Sequence, residues 1–109
     1  MKLIKAYIRT NMIDKVVHAL EEAGLTDMTV IDVKAIRGGV DPKDLDYSAE
    51  LAERYMNVAK LEMVLQDDQV GSVKDIILKT ARTGRKGDGL VYISPVDEAI
   101  HIRTGKAPS

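Results

Sequence analysis

Apolar residues alternate from Leu3 to Arg9: Ile4, Ala6 and Ile8 share one face, and Leu3, Lys5, Tyr7 and Arg9 share the other. A period of two predicts a strand with one face on a core. The period then changes. Ile13, Val16, Val17 and Leu20 fall at helical spacing and form one stripe. Asn11 is placed to cap that helix and Asp14 to complement its N-terminal dipole, while Gly24 suits its end. Thr29, Ile31, Val33 and Ala35 alternate again and predict a second strand.

The second half repeats this grammar. Val58 to Leu65 reads as a strand, and Asp67 or Asp68 as the cap of a helix whose stripe is Val70, Val73, Ile76, Ile77 and Thr80. A strand from Leu90 to Ser94 follows and Pro95 ends it; Ile100 and Ile102 mark a short final strand. Two strand–helix–strand units of similar size predict an α+β, ferredoxin-like domain: a double βαβ with a four-stranded antiparallel sheet and both helices on one face. The other face stays open. Apolar residues on it predict association of several copies. Gly38 to Met56 fits neither period. It runs for about twenty residues, far beyond an ordinary hairpin turn. Five acids (Asp41, Asp44, Asp46, Glu50, Glu53) outnumber Lys43 and Arg54 there, and Tyr47, Leu51 and Tyr55 recur at four-residue spacing. This is an acidic arm, either a tolerated disordered insertion or a partner-binding element, with a helical turn or two from Asp46 onward.

Composition narrows the class. The 109 residues are 45% apolar and 30% charged, which fits one folded domain and not a disordered chain. Sixteen basic and 17 acidic side chains leave a formal net charge of −1, so there is no global attraction to nucleic acid or anionic lipid. Four Tyr with no Phe or Trp make the core aliphatic. The absence of cysteine excludes disulfides, thiolate metal sites and a cysteine nucleophile. The N-terminus lacks the apolar stretch of a signal peptide, and no run reaches membrane-spanning length, so a cytoplasmic location without membrane insertion is the default expectation.

The chemistry concentrates in "ARTGRKGDG", Ala81 to Gly89. Gly84, Gly87 and Gly89 free the backbone to bring N–H groups close to a ligand, and Arg82, Arg85 and Lys86 add positive charge. Together they suit a phosphate. The spacing GxxGxG is neither a Walker loop nor the dinucleotide fingerprint, and it precedes a strand rather than a helix; taken alone, such a stretch is more often a turn. His18 lies off the stripe of the first helix and reads as a surface residue. No nucleophile–base pair or metal-ligand cluster stands out, so no catalytic residue is assigned. Acylphosphatases share the topology, as do RNA recognition motifs, but Lys60 to Leu65 offers no aromatic for base stacking. A trimer linked to metal tolerance would need His or carboxylate clusters, which two isolated His do not favour.

Three stretches share one resemblance. "TGRKGDGLVYISPVDEAIHIRTGK" (Thr83 to Lys106), "GLTDMTVIDVK" (Gly24 to Lys34) and "AELAERYMNVAKLEMVLQDD" (Ala49 to Asp68) resemble the PII signal-transduction proteins, whose C-terminal signature reads TGKIGDGKIFV and later IRIRTGE. The likeness covers essentially the whole chain. It implies a single domain over residues 1–109, with the arm (about 38–56) as a T-loop, Arg82 to Gly89 as a B-loop and 95–109 as a C-terminal segment. It implies a homotrimer that binds ADP, AMP or ATP in clefts between subunits, with Mg left open and no covalent cofactor. The T-loop then docks on a membrane transporter, channel or enzyme. Catalysis is not implied. Position by position, Met28 and Thr29 match the adenosine-contacting strand, Glu62 and Val64 the base pocket, and Gly87, Asp88 and Gly89 the phosphate-cradling turn. Arg103 matches a phosphate-contacting arginine from the neighbouring subunit. Tyr47, Leu51 and Tyr55 fall in the partner-binding T-loop.

The departures from that pattern carry as much weight. Gly39 stands where the family has a Gln that helps hold Mg and 2-oxoglutarate, and Val58 where it has the Lys that pairs with 2-oxoglutarate. Leu90 replaces a phosphate-binding Lys, His101 the first arginine of IRIR, and Asp27 a Gly. Leu51 replaces the modifiable Tyr, and Tyr47 the Arg that plugs the ammonium channel. Loss of positive charge at the outer phosphates predicts ADP or AMP binding comparable to or better than ATP. The same departures predict no 2-oxoglutarate sensing, no uridylylation at residue 51 and a target other than an ammonium channel. Fold-level relatives link such regulators to bicarbonate or metal transport by analogy only.

Overall fold

The computed structural model describes residues 1–36 and 55–107. Strand β1 (Lys2–Arg9) leads through a 3-10 turn (Thr10–Met12) into helix α1 (Ile13–Glu22) and strand β2 (Thr29–Ile36). Strand β3 (Tyr55–Leu65), a 3-10 turn (Asp67–Gln69), helix α2 (Val70–Ala81) and strand β4 (Val91–Pro95) complete the second unit. The sheet has the order β2-β3-β1-β4 and every neighbouring pair is antiparallel. The two βαβ units therefore interleave: β3 lies between β1 and β2, and β1 lies between β3 and β4. This is the ferredoxin-like arrangement that the two alternating periods imply.

The core is the expected face. Ile4, Ala6 and Ile8 of β1 stand opposite Met63, Leu61 and Ala59 of β3. Val16 and Leu20 of α1, and Val73, Ile77 and Ala81 of α2, close over them. Each large aliphatic side chain so buried contributes about 1.5–3 kcal/mol. The opposite face carries Leu3, Tyr7, Val58, Val64 and Tyr92; the Tyr7 and Tyr92 rings meet edge to face, with centroids 5.8 Å apart.

Four local expectations change. Asn11 is not the cap of α1: Met12 holds that position without a side-chain hydrogen bond, because residues 10–12 already turn as a 3-10 helix. The second helical run is capped by Gln66, not by Asp67 or Asp68. Gln66 and Gln69 form a reciprocal capping box, and Asp67 instead accepts the N-terminal ammonium of Met1 at 2.6 Å. Strand β3 begins at Tyr55, so Tyr55 and Met56 belong to the sheet and not to the arm. Ile100 and Ile102 form no fifth strand. The His101 N–H donates to the Lys106 carbonyl and the Gly105 N–H to the His101 carbonyl, so the chain closes into a turn with Gly105 at φ 67°. The rest of the expected arm, including Gly38, Gly39, Tyr47 and Leu51, lies outside the described residues.

Candidate functional site

Gly24 shapes the entry to the first group of residues. Its φ of 91° ends α1 in the left-handed region, where L side chains are strained. The chain then turns through Leu25 to Met28 and enters β2 at the sheet edge. Thr29 stands directly opposite Glu62 of β3. Met28, Thr29, Glu62 and Val64 line one open cleft of about 420 Å³, together with Leu3, Thr26, Asp27 and Met63. Four of the residues singled out from the sequence thus meet in one place. Lys60 lies two residues before Glu62 on the same strand face and reaches its carboxylate at 3.3 Å. The cleft therefore combines an apolar wall, a threonine hydroxyl and a carboxylate held by an ammonium, a set suited to a polar, flat heterocycle.

The second group is the glycine stretch between α2 and β4. Asp88 organises it. Its carboxylate accepts from the Thr83 N–H (2.9 Å), the Gly84 N–H (2.9 Å), the Thr83 hydroxyl and Arg9 Nε (3.0 Å). Arg9 also sends Nη2 to the Lys86 carbonyl at 2.6 Å. Hydrogen bonds from Thr83, first its hydroxyl and then its N–H, hold the Asp88 carboxyl well below the usual carboxylate range; Arg9 and the Gly84 N–H add to this, and partial burial opposes it. The side chain of Asp88 thus builds the loop. Gly87 and Gly89 sit at φ 96° and 99°, conformations that L side chains rarely adopt. These angles give the short run of N–H groups on either side of Asp88 a direction that an ordinary strand entry lacks.

The two groups do not share a cavity in one chain. The cleft spans Thr29 of β2, Glu62 to Val64 of β3 and Leu3 near the start of β1, whereas the glycine loop is held at Arg9, the other end of β1. At the usual rise per strand residue, Leu3 and Arg9 are roughly 20 Å apart. His101 and Arg103 lie in the C-terminal turn, exposed. Val58 is buried at 1% exposure opposite Arg9, and Leu90 is 58% exposed at the end of the glycine loop. His18 is exposed and pairs with Glu22 at 3.0 Å on its own helix.

Comparison with known proteins decides the family. The family model "Nitrogen regulatory protein P-II" matches residues 1–106. The chain belongs to the P-II family. Relatives named nitrogen regulatory protein P-II include those of Nostoc punctiforme and Mesorhizobium japonicum, each 39% identical over 106 residues, covering 97% of this chain and 95% of the relative. That of Microchaete diplosiphon is 38% identical over the same span and coverage. The resemblance drawn from three motifs thus extends along the P-II chain from end to end, and the protein is a member of a regulatory family. Among the described residues, no helix is long and apolar enough to cross a membrane.

Reading the sequence alone passes over Arg9, Thr83 and Lys60. Arg9 reads simply as the outward end of an alternating strand. Only the sheet order, which puts β1 next to β4, brings it to a loop 77 to 79 residues away. Thr83 carries a weaker signal: hydroxyl and Asp side chains are common local hydrogen-bond partners in turns, and here the Thr83 hydroxyl donates to Asp88.

Proposed function

We propose that this P-II protein is a signal transducer that binds adenine nucleotides between the chains of a homotrimer. It passes the bound state to a transporter, channel or enzyme through the T-loop. The gathering of Met28, Thr29, Glu62 and Val64 in one cleft, at the other end of β1 from the point where Arg9 holds the glycine loop, supports this reading most directly. A ligand that needs both groups is best served by two chains, the cleft of one facing the loop of the next. The base then rests against the cleft. The phosphates meet the backbone at Gly87, Asp88 and Gly89, with His101 and Arg103 close by.

ADP or AMP binds at least as tightly as ATP. Leu90 offers no charge where the family places a lysine, and histidine is a weaker cation near neutral pH than the arginine it replaces at position 101. Each missing charge-assisted hydrogen bond lowers affinity by roughly 1.5–3 kcal/mol. Val58, apolar and 1% exposed, offers no partner to the carboxylates of 2-oxoglutarate. Calorimetric titration with AMP, ADP and ATP, with and without Mg and 2-oxoglutarate, tests all of this. ADP or AMP binding equal to or tighter than ATP and indifferent to 2-oxoglutarate is the expected result. A second reading has the relatives' name in its favour: a conventional nitrogen sensor. Tight Mg-ATP binding that requires 2-oxoglutarate would select it. No nucleotide binding would refute both.

A further inference from the structure

We propose that Arg9 is a positioning residue for the phosphate-binding loop, acting through the loop backbone and not through the ligand. The Arg9 guanidinium holds two points of the loop. Nη2 takes the carbonyl of Lys86 at 2.6 Å and Nε takes the carboxylate of Asp88 at 3.0 Å. These two anchor points flank Gly87, whose φ is 96°. A glycine in that region is free to leave it, because glycine populates both signs of φ about equally. Fixing the residue on each side from one rigid planar group removes that freedom. The peptide planes at Gly87 and Asp88 then keep one orientation, and their N–H groups keep one direction.

Asp88 itself is clasped by Thr83 and Gly84 from the start of the loop. Arg9 is the strut that ties this self-contained turn to the sheet: it stands at the end of β1, directly opposite Val58 of the central strand β3. The Arg9 side chain is only 19% exposed and that of Asp88 25%, so the pair is shielded on most sides. Lysine cannot do the same. Its ammonium is a point charge without the planar fork that reaches a carbonyl and a carboxylate in two fixed directions.

This inference rests on the nucleotide reading for its effect on affinity, but not for its effect on the loop. The experiment therefore reads both. Amide hydrogen exchange over residues 83–89 is compared in the ligand-free wild-type protein, Arg9→Lys and Arg9→Gln, and ADP binding is titrated in all three. Faster exchange confined to the loop is expected in both variants, with the thermal midpoint nearly unchanged. ADP affinity falls about tenfold, as when the competent loop is about one tenth populated. Loop exchange equal to wild type would overturn the proposal. So would an affinity loss with unaltered exchange, which would make Arg9 a direct phosphate ligand. Full restoration of both readouts by Arg9→Lys would overturn it too, since a point charge would then suffice. If either variant fails to fold, Arg9→Met keeps the aliphatic stem and removes the guanidinium while leaving the Thr83–Asp88 clasp in place; faster loop exchange is again the expected result and wild-type exchange the overturning one. If the wild-type protein binds no ADP, the nucleotide reading falls, and the exchange comparison alone upholds or overturns the strut.

Discussion

At the scale of single residues, Asp88 carries the clearest consequence. Its carboxyl is held well below its ordinary value of 3.8 by the Thr83 hydroxyl and N–H, with Arg9 and Gly84 adding. In the unfolded chain the same group titrates normally and so takes up a proton first as pH falls. The stabilisation is therefore fully present above the usual carboxylate range and is lost as pH drops through the lower folded value. Backbone amide chemical shifts of Thr83 and Gly84 should stay flat from pH 7 to about 4.5, and Asp88→Asn should displace them across that range. A titration of those amides near pH 6 would show that the clasp does not hold the ionised form. The residue scale is also where sequence reading succeeds and fails most sharply. The glycines and Asp88 stand out because backbone freedom and charge are written in residue type. Arg9 does not, because a charged residue at the end of a strand looks the same whether it faces water or a loop from the other half of the chain.

At the scale of elements, both βαβ units are legible because burial imposes a period on the sequence. The alternation at Ile4, Ala6 and Ile8 and the stripe at Val73 and Ile77 both end in the core. Element ends are less legible, since several side chains compete to close the same orphan N–H groups. Gln66 wins over Asp67 by pairing with Gln69, and Asp67 turns to the ammonium of Met1. Ile100 and Ile102 mislead because alternation over three residues is also compatible with a turn, which Gly105 makes easy. Gly24 is the terminus that reads correctly from sequence. Nothing lies within 4 Å of the position a Cβ would take there, so steric contact is not what selects glycine. The left-handed backbone is. Gly24→Ala should therefore lower stability by about 1 kcal/mol, measured as a shift in the denaturant midpoint at constant m-value. A neutral effect would mean that the turn after α1 relaxes to negative φ.

At the scale of the whole molecule, the chain has more apolar surface than one copy can cover. Ile36, Tyr92, Ile93, Leu90 and Ile102 are all exposed, and Ile102 is 102% exposed, as open as in an extended peptide. The homotrimer proposed above gives these residues partners. Light scattering should give three times the mass of one chain, and removing residues 97–109 should weaken the assembly without unfolding the domain. A monomer would leave the proposed nucleotide site without its second half. The periodicity shows an apolar open face, and so that copies associate, but neither their number nor what lies against that face.

Arg9 and Thr10 are consecutive. The first holds the glycine loop; the second donates its hydroxyl to the carbonyl of Asn57 at 2.9 Å, on the strand that brings the chain back from residues 37–54. The glycine loop and the start of β3 are thus tied to the two residues that share one peptide unit at the tip of β1. The peptide between Arg9 and Thr10 is therefore a shared fixed point: the glycine loop hangs from one side of it and the start of β3 from the other.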